Sequence, residues 1–417
     1  MGANEAIAAS AASQRTESGR PGHGGAVRIE PDLDFIRRIE MRSGESFKKC
    51  MQCGTCSATC LISPAVDPFP AKEMAWASWG MKDRLLADPD VWLCYNCNDC
   101  SARCPRGARP GDILAAVRQE VVTGCSSPRF LGRVVNDPTF VLVLLGVPAL
   151  LLGAALWLRD PIREALGISG LAGGKIVYSY SPAFPQWLLN GFFTLFTALA
   201  LLAATVGIIR FWRAMNRGSG AAGAPVRGMW SSITAALKHV FMHDKFADCT
   251  TARARYLSHV LVLFGFLALS VVTVWVITAR ANPLIRGEFT YPFNFWSPWK
   301  LLANAGGAAL VLGCVMMIRD RFIYRANINR GSYFDWSLVW TLLAVGVTGF
   351  ATEALHYLRM EPHRHVVYFI HLVFVFALLI YLPWSKLAHV LYRTTALVFV
   401  ERSGRSQARP GSAGDSK

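Results

Sequence analysis

Eight cysteines in two runs carry the most specific chemistry in this chain. Cys50, Cys53, Cys56 and Cys60 follow C-x2-C-x2-C-x3-C, and Cys94, Cys97, Cys100 and Cys104 repeat it, with Pro105 after the last. Spacings of three bring successive sulfurs round one small volume in a tight turn, which suits a cubane cluster. In two-cluster ferredoxins the fourth cysteine of each run binds the other run's cluster. The spacing therefore predicts one [4Fe–4S] cluster on Cys50, Cys53, Cys56 and Cys104 and a second on Cys94, Cys97, Cys100 and Cys60. Zinc knuckles or structural thiols are the plainer alternatives. Zinc sites usually show paired C-x2-C units with four ligands per ion, and two runs with an x3 step do not make that pattern readily. Cys125, Cys249 and Cys314 have no ligand spacing and read as small apolar residues.

The histidines are the second set of possible ligands. An isolated histidine is usually a surface or packing residue, but an ionisable group inside a membrane span is costly and tends to be functional. His371 and His389 both fall in the last apolar stretch, 18 residues apart. On one continuous helix that is five turns, placing both on one face roughly 27 Å apart, the disposition two stacked haems would need. His259 lies near the start of the third apolar stretch, level with His389 on an antiparallel neighbour, so these two are expected to clamp a b haem. His371 needs a partner at its own depth. His356, at the end of the fifth stretch, is the best candidate, with His363 and His365 behind it. His239 and His243 sit among basic residues and read as part of a surface amphipathic helix.

The elements that must hold these ligands follow from composition. Hydrophobic residues make up 53% of the 417 and charged residues 17%, which points to a membrane protein. Six apolar stretches of spanning length fall near 138–157, 187–209, 256–279, 301–318, 335–356 and 366–391. The formal charge of +16 is concentrated between spans, as in Arg210, Arg213, Arg217, Arg227 and Lys238, or Arg319, Arg321, Arg325 and Arg330. It reports topology and not a nucleic-acid partner. Positive-inside logic puts both termini and the cysteine domain in the cytoplasm of a bacterial inner membrane, where the cysteines stay thiolates. The leader has no apolar h-region. The expected organisation is all-α: a disordered leader at 1–29, a two-cluster ferredoxin-like domain at 30–126, a six-helix transmembrane cytochrome b domain at 127–395, and a basic cytoplasmic tail at 396–417. Helical spacing is clearest in "PGDILAAVRQEVV", where Ile113, Leu114, Val117, Val121 and Val122 recur behind Pro110-Gly111.

Two segments resemble known families. "CGTCSATC" and "CPRGARPGDILAAVR" are similar to the small iron–sulfur subunit of heterodisulfide reductases. "YLSHVLVLFGFLALS" and "HLVFVFALLIYLPWSKLAHVLY" resemble the cytochrome b subunit of respiratory nitrate reductase, including both histidines of the last helix. That family has a second histidine ten residues after the first in its ligand helix, where this chain has Leu269. The fusion of the two parts resembles the third, membrane-embedded component of the quinone-interacting membrane-bound oxidoreductase (Qmo) complex. The resemblance implies a membrane electron-transfer subunit with two [4Fe–4S] clusters, one or two b haems and a quinone as substrate. It implies as partners the Qmo flavin and iron–sulfur subunits A and B and, beyond them, adenylylsulfate reductase. The work expected of the chain is electron transfer, with the cofactors supplying the redox step. Glu353, His363 and Arg364 are weak candidates for a proton-handling group near quinone. The alternatives are a heterodisulfide-reductase-like or sulfite-reduction-linked membrane cytochrome, and a haem-free anchor for a ferredoxin domain.

Overall fold

The computed structural model describes residues 30–64, 67–167, 180, 183–218, 225–242, 253–281, 293–323 and 331–405. The leader at 1–29, His23, His243, Cys249 and the tail beyond 405 lie outside them. Among the described residues every regular element is helical.

The N-terminal part comprises α1 (Leu33–Ser43), α2 (Thr55–Ala58), α3 (Ala71–Ser78), α4 (Lys82–Leu86), α5 (Asp90–Leu93), α6 (Asp99–Ala102), α7 (Pro110–Cys125) and α8 (Arg129–Val135). Asp32 starts α1 by accepting a hydrogen bond from the Phe35 amide at 2.8 Å. Pro110 occupies the first turn of α7, where its missing N–H costs nothing. The five apolar positions expected to face inward on α7 are all buried, and so are Asp112, Gln119 and Glu120. A helix buried nearly all round is a central strut. Arg38 and Arg42 of α1 both donate to the Glu120 carboxylate, which offsets the cost of burying it.

The remainder comprises α9 (Val141–Trp157), α10 (Arg159–Ala165), α11 (Gln186–Gly218), α12 (Met229–Met242), α13 (Arg253–Ala281), α14 (Pro298–Ile323), α15 (Tyr333–Tyr357), α16 (His363–Ile380) and α17 (His389–Ser403). Six helical segments are long and apolar enough to cross a membrane: Pro138–Trp157, Gln186–Gly218, Arg255–Ala279, Pro298–Ile323, Tyr333–Tyr357 and His363–Ile380. Five of these match the apolar stretches closely. The sixth stops at Ile380 instead of 391.

Pro383 explains the early stop. It has no amide to continue the helical ladder, and its ring disfavours helix in the residue before it. The chain turns through Tyr381–Ser385, and Ser385 Oγ then accepts from the Leu387 amide at 3.3 Å to start the short 3₁₀ turn Lys386–Ala388. His371 and His389 therefore stand on different helices, and the single-helix reasoning that put them on one face does not hold. Residues 396–403, expected as tail, belong to α17, where Ala396, Phe399 and Val400 are buried.

One apolar core joins the cysteine domain to one end of the bundle. Phe35, Ile39, Trp92, Ile113 and Val117 share it with Phe211 and Met215 of α11 and with Tyr392, Ala396 and Phe399 of α17. At its centre the Trp92 ring stacks on Tyr392 with centroids 5.6 Å apart, while Phe211 meets Trp92 edge-on at 6.1 Å. With 33 residues, α11 is about 50 Å long, so its last turns outrun a bilayer core and reach into the cysteine domain.

Candidate electron-transfer sites

The two cysteine runs fold as a structural repeat. Gln52 and Gly54 flank Cys53 with φ of 57° and 77°, and Asn96 and Asn98 flank Cys97 with φ of 55° and 70°. Alternating left-handed residues turn successive amides toward one concavity, a backbone nest that favours anions. The Gln52 amide lies 3.4 Å from Cys50 Sγ, and the Asn96 amide lies 3.2 Å from Cys94 Sγ. Gly111 opens α7 close against the second loop. A Cβ there would meet Asn98 Oδ1 at 2.6 Å and Asn96 Oδ1 at 2.7 Å, so any larger residue must push both side-chain amides aside.

The fold brings the fourth cysteine of each run to the other run. Cys50, Cys53, Cys56 and Cys104 line one small cavity. Burial, then the neighbouring Cys50 and Cys104, pushes the Cys56 thiol up to about 11. On the other side burial, then Cys94 and Cys97, pushes Cys60 up to about 12, and Cys100 is raised by burial and the same cysteines. These are sulfurs crowded so that bare thiolates repel one another, and a cluster would hold them by coordination. The donor set fits two [4Fe–4S] clusters, Cys50/Cys53/Cys56/Cys104 and Cys94/Cys97/Cys100/Cys60. The first set is the outer one: Cys53 is exposed, and Met51 near it in the chain is 61% exposed. In the second, Cys94 and Cys100 are buried.

The second loop is gripped by the membrane helices. Arg393 of α17 donates to the carbonyls of Trp92 at 2.8 Å, Cys94 at 3.2 Å and Leu93 at 3.4 Å, and lies over the Tyr95 ring at 4.0 Å. Arg255 of α13 donates to the Asn96 carbonyl at 2.8 Å, and Tyr256 packs with Tyr95 and Cys97. Sequence reasoning missed both arginines. The signal was there: Arg255 precedes His259 by four residues and Arg393 follows His389 by four, one turn along the same helix face.

The helices that bear those arginines also carry the two histidines expected to hold a haem. His259 and His389 lie within electrostatic reach of each other. His389 Nδ1 sits 2.6 Å from the Lys386 carbonyl, which fixes the ring and turns Nε2 away from it, as ligand histidines are commonly held. The Nε2 atom that this leaves unengaged is chemically a haem-iron donor. The contacts of the second expected pair lie at two levels of the α15–α16 hairpin. His371 packs against α15, with Nδ1 3.0 Å from Thr348 Oγ1 and Cε1 3.2 Å from where a Cβ on Gly349 would lie. His356, seven residues beyond Gly349 and so about 10 Å further along the axis, stacks on Tyr180 at 5.6 Å. Tyr180 also meets His365 edge-on at 5.8 Å. The α15–α16 hairpin register thus sets His356 near the first turn of α16, at a different level from His371. Leu269 is packed among apolar side chains.

The other candidates fall into structural roles. Glu353 pairs with Lys300 at 2.9 Å and accepts from Asn304 at 3.2 Å. Arg364 is buried, paired with Glu361 and set over the Tyr180 ring at 5.2 Å. His239 lies on α12 with Nε2 3.7 Å from Glu401.

Comparison with known proteins gives matches confined to the cysteine domain and others along most of the chain. Residues 46–108 match the 4Fe-4S dicluster domain, so an iron–sulfur electron-transfer domain is present. The C-type subunit of the H(2):CoB-CoM heterodisulfide,ferredoxin reductase of Methanothermobacter marburgensis is 34% identical over 90 residues, 21% of this chain and 48% of that protein. A protein of Archaeoglobus profundus, similar to the same subunit of heterodisulfide reductase, is 34% identical over 97 residues, 22% of this chain and 52% of that one. The chain thus spans about half the length of these relatives. Citrate utilization protein B of Escherichia coli is 25% identical over 414 residues, 93% of this chain and 97% of that protein. No solved structure matches. Residues 133–411 match the model of citrate utilization protein B, and the chain belongs to that family.

Proposed function

We propose that the chain is the membrane subunit of a quinone-linked oxidoreductase, relaying electrons between a soluble flavin-bearing partner and membrane quinone. The observation that carries this reading is the docking of the Cys94–Cys97 loop on the two helices that bear His259 and His389. When bound, the clusters and a b haem each pass one electron at a time. The protein's own part is positional. The Cys53 rim presents the outer set to a partner, the crossed cysteines tie the two sets together, and Arg255 and Arg393 fix the inner set one helical turn from the histidines. Positive-inside charge supports a cytoplasmic iron–sulfur domain on an inner membrane.

Two classes of soluble partner are consistent with this frame. The end-to-end similarity to a citrate utilization protein supports a partner that acts on citrate or a similar carboxylic acid. The heterodisulfide-reductase likeness supports the second reading, a Qmo-type assembly with flavin subunits A and B serving adenylylsulfate reductase. The test is to reduce the purified chain with dithionite and mix it with a soluble quinone. Rapid reoxidation is expected, slowed by Arg393→Gln. Reoxidation no faster than that of a free ferredoxin would overturn the proposal.

A further inference from the structure

A groove of about 2100 Å³ runs between the iron–sulfur domain and the ends of the first two spans. At its membrane end it is lined by Arg129 and Arg133 of α8 and by Arg210, Arg213 and Arg217 of α11. Among the described residues, none of the five has a carboxylate within ion-pair distance. Asp137, the nearest acid in sequence, is engaged by the amide and hydroxyl of Thr139 at 2.9 and 2.7 Å. Two of the arginines also hold backbone. Arg129 donates to the Gly124 carbonyl at 3.1 Å, and Arg210 donates to those of Cys125 at 3.3 Å and Ser126 at 3.1 Å, so both close the C-terminus of α7. Arg133, Arg213 and Arg217 have no such task outside their own helix and are exposed.

Their spacing is unfavourable without an anion. Arg129 and Arg133, and Arg213 and Arg217, are like charges at i,i+4, which repel on a helix face. Their height is equally telling. Arg133 stands five residues before the first span begins at Pro138, and Arg210 follows the last apolar turn of the second. Just beyond lie side chains that suit acyl chains: Phe140 at 40% exposure, Leu142 at 81%, Leu202 at 63% and Ile209 at 44%. A cationic groove flanked on its bilayer side by apolar surface fits a molecule that is anionic at one end and aliphatic at the other.

We propose that this groove binds an anionic phospholipid, its phosphodiester held between Arg133 of α8 and Arg213 and Arg217 of α11. With cationic arms on two helices it suits a lipid bearing two phosphates, such as cardiolipin. The bound headgroup would brace the iron–sulfur domain against the bundle without touching the cysteine or histidine ligands.

The test uses the full chain in neutral detergent, stripped of lipid, with cardiolipin, phosphatidylcholine or inorganic phosphate added. Native mass spectrometry reads binding and thermal denaturation reads stabilisation. Cardiolipin is expected to bind and to raise the melting temperature, with phosphatidylcholine and phosphate ineffective. Apparent affinity should fall about fivefold for each arginine replaced, roughly a hundredfold in R133Q/R213Q/R217Q. Binding to the wild type should weaken steadily with added salt, which needs no variant to fold. Equal effects of cardiolipin and phosphatidylcholine, salt-insensitive binding, or full binding by the triple variant would overturn the proposal. An equal effect of inorganic phosphate would leave an anion site and refute the lipid.

Discussion

Replacing Arg393 with glutamine should lower the reduction potential of the inner cluster and leave the outer one alone. The Arg393 guanidinium contacts the carbonyls of Trp92, Leu93 and Cys94, and Arg118 of α7 also reaches Cys94. The outer set has Arg106 in the lining of its own cavity, a cation that Arg393→Gln leaves in place. Nearby acids are already engaged, Asp335 by Lys386 at 2.8 Å and Asp112 by Arg109 at 2.7 Å. Burial by itself disfavours the extra negative charge of a reduced cluster, so the inner set depends on these cations to accept electrons. At a separation of about 8 Å and an effective dielectric of about 20, one charge is worth about 2 kcal/mol, or roughly 90 mV for one electron. Redox titration followed by electron paramagnetic resonance resolves the two clusters. A fall of that order in one signal, with the other unmoved, is expected. Shifts in both signals, or in neither, would refute the reasoning.

Three further outcomes follow from particular contacts. Gly111→Ala should disrupt the inner set alone, since the new Cβ would press within 2.7 Å of both Asn96 and Asn98; iron analysis should show about half the wild-type content. Trp92→Ala empties the centre of the shared core, where the ring is 1% exposed, and should cost about 3–5 kcal/mol, read as a lower unfolding midpoint. Burial and the neighbouring Asp90 push the Asp88 carboxyl up to about 6, and burial and Asp88 raise Glu73 well above the usual range. A raised carboxyl stabilises the fold fully below its unfolded value and loses that contribution as pH rises through the folded one. Relative to Asp88→Asn, the wild type should therefore lose stability between about pH 4 and pH 7; a constant difference across that range would contradict this.

The elements were readable because their signals are local. Cysteine spacing marked the two runs that the fold brings side by side, and hydropathy marked six spans, the last of them too long. What was not readable depends on tertiary register. Pro383 was visible in "YLPWSKL", but the apolar run continued past it, and its composition outweighed a single breaker. The level of His356 relative to His371 is set by the turn Leu358–Pro362, whose geometry no periodicity encodes. Arg255 and Arg393 have no ligand spacing of their own, and only the fold places them on the Cys94–Cys97 loop. Trp92, between the two cysteine runs, gave no hint that Phe211 and Tyr392, more than a hundred residues away, would enclose it.

The most direct test is a pyridine haemochrome assay beside iron analysis on the purified chain, repeated for His259→Ala, His389→Ala and His356→Ala. One b haem per chain is expected, lost in the first two variants and kept in the third, with cluster iron unchanged throughout. A folded wild type with both clusters and no haem would contradict the relay and leave the spans as an anchor.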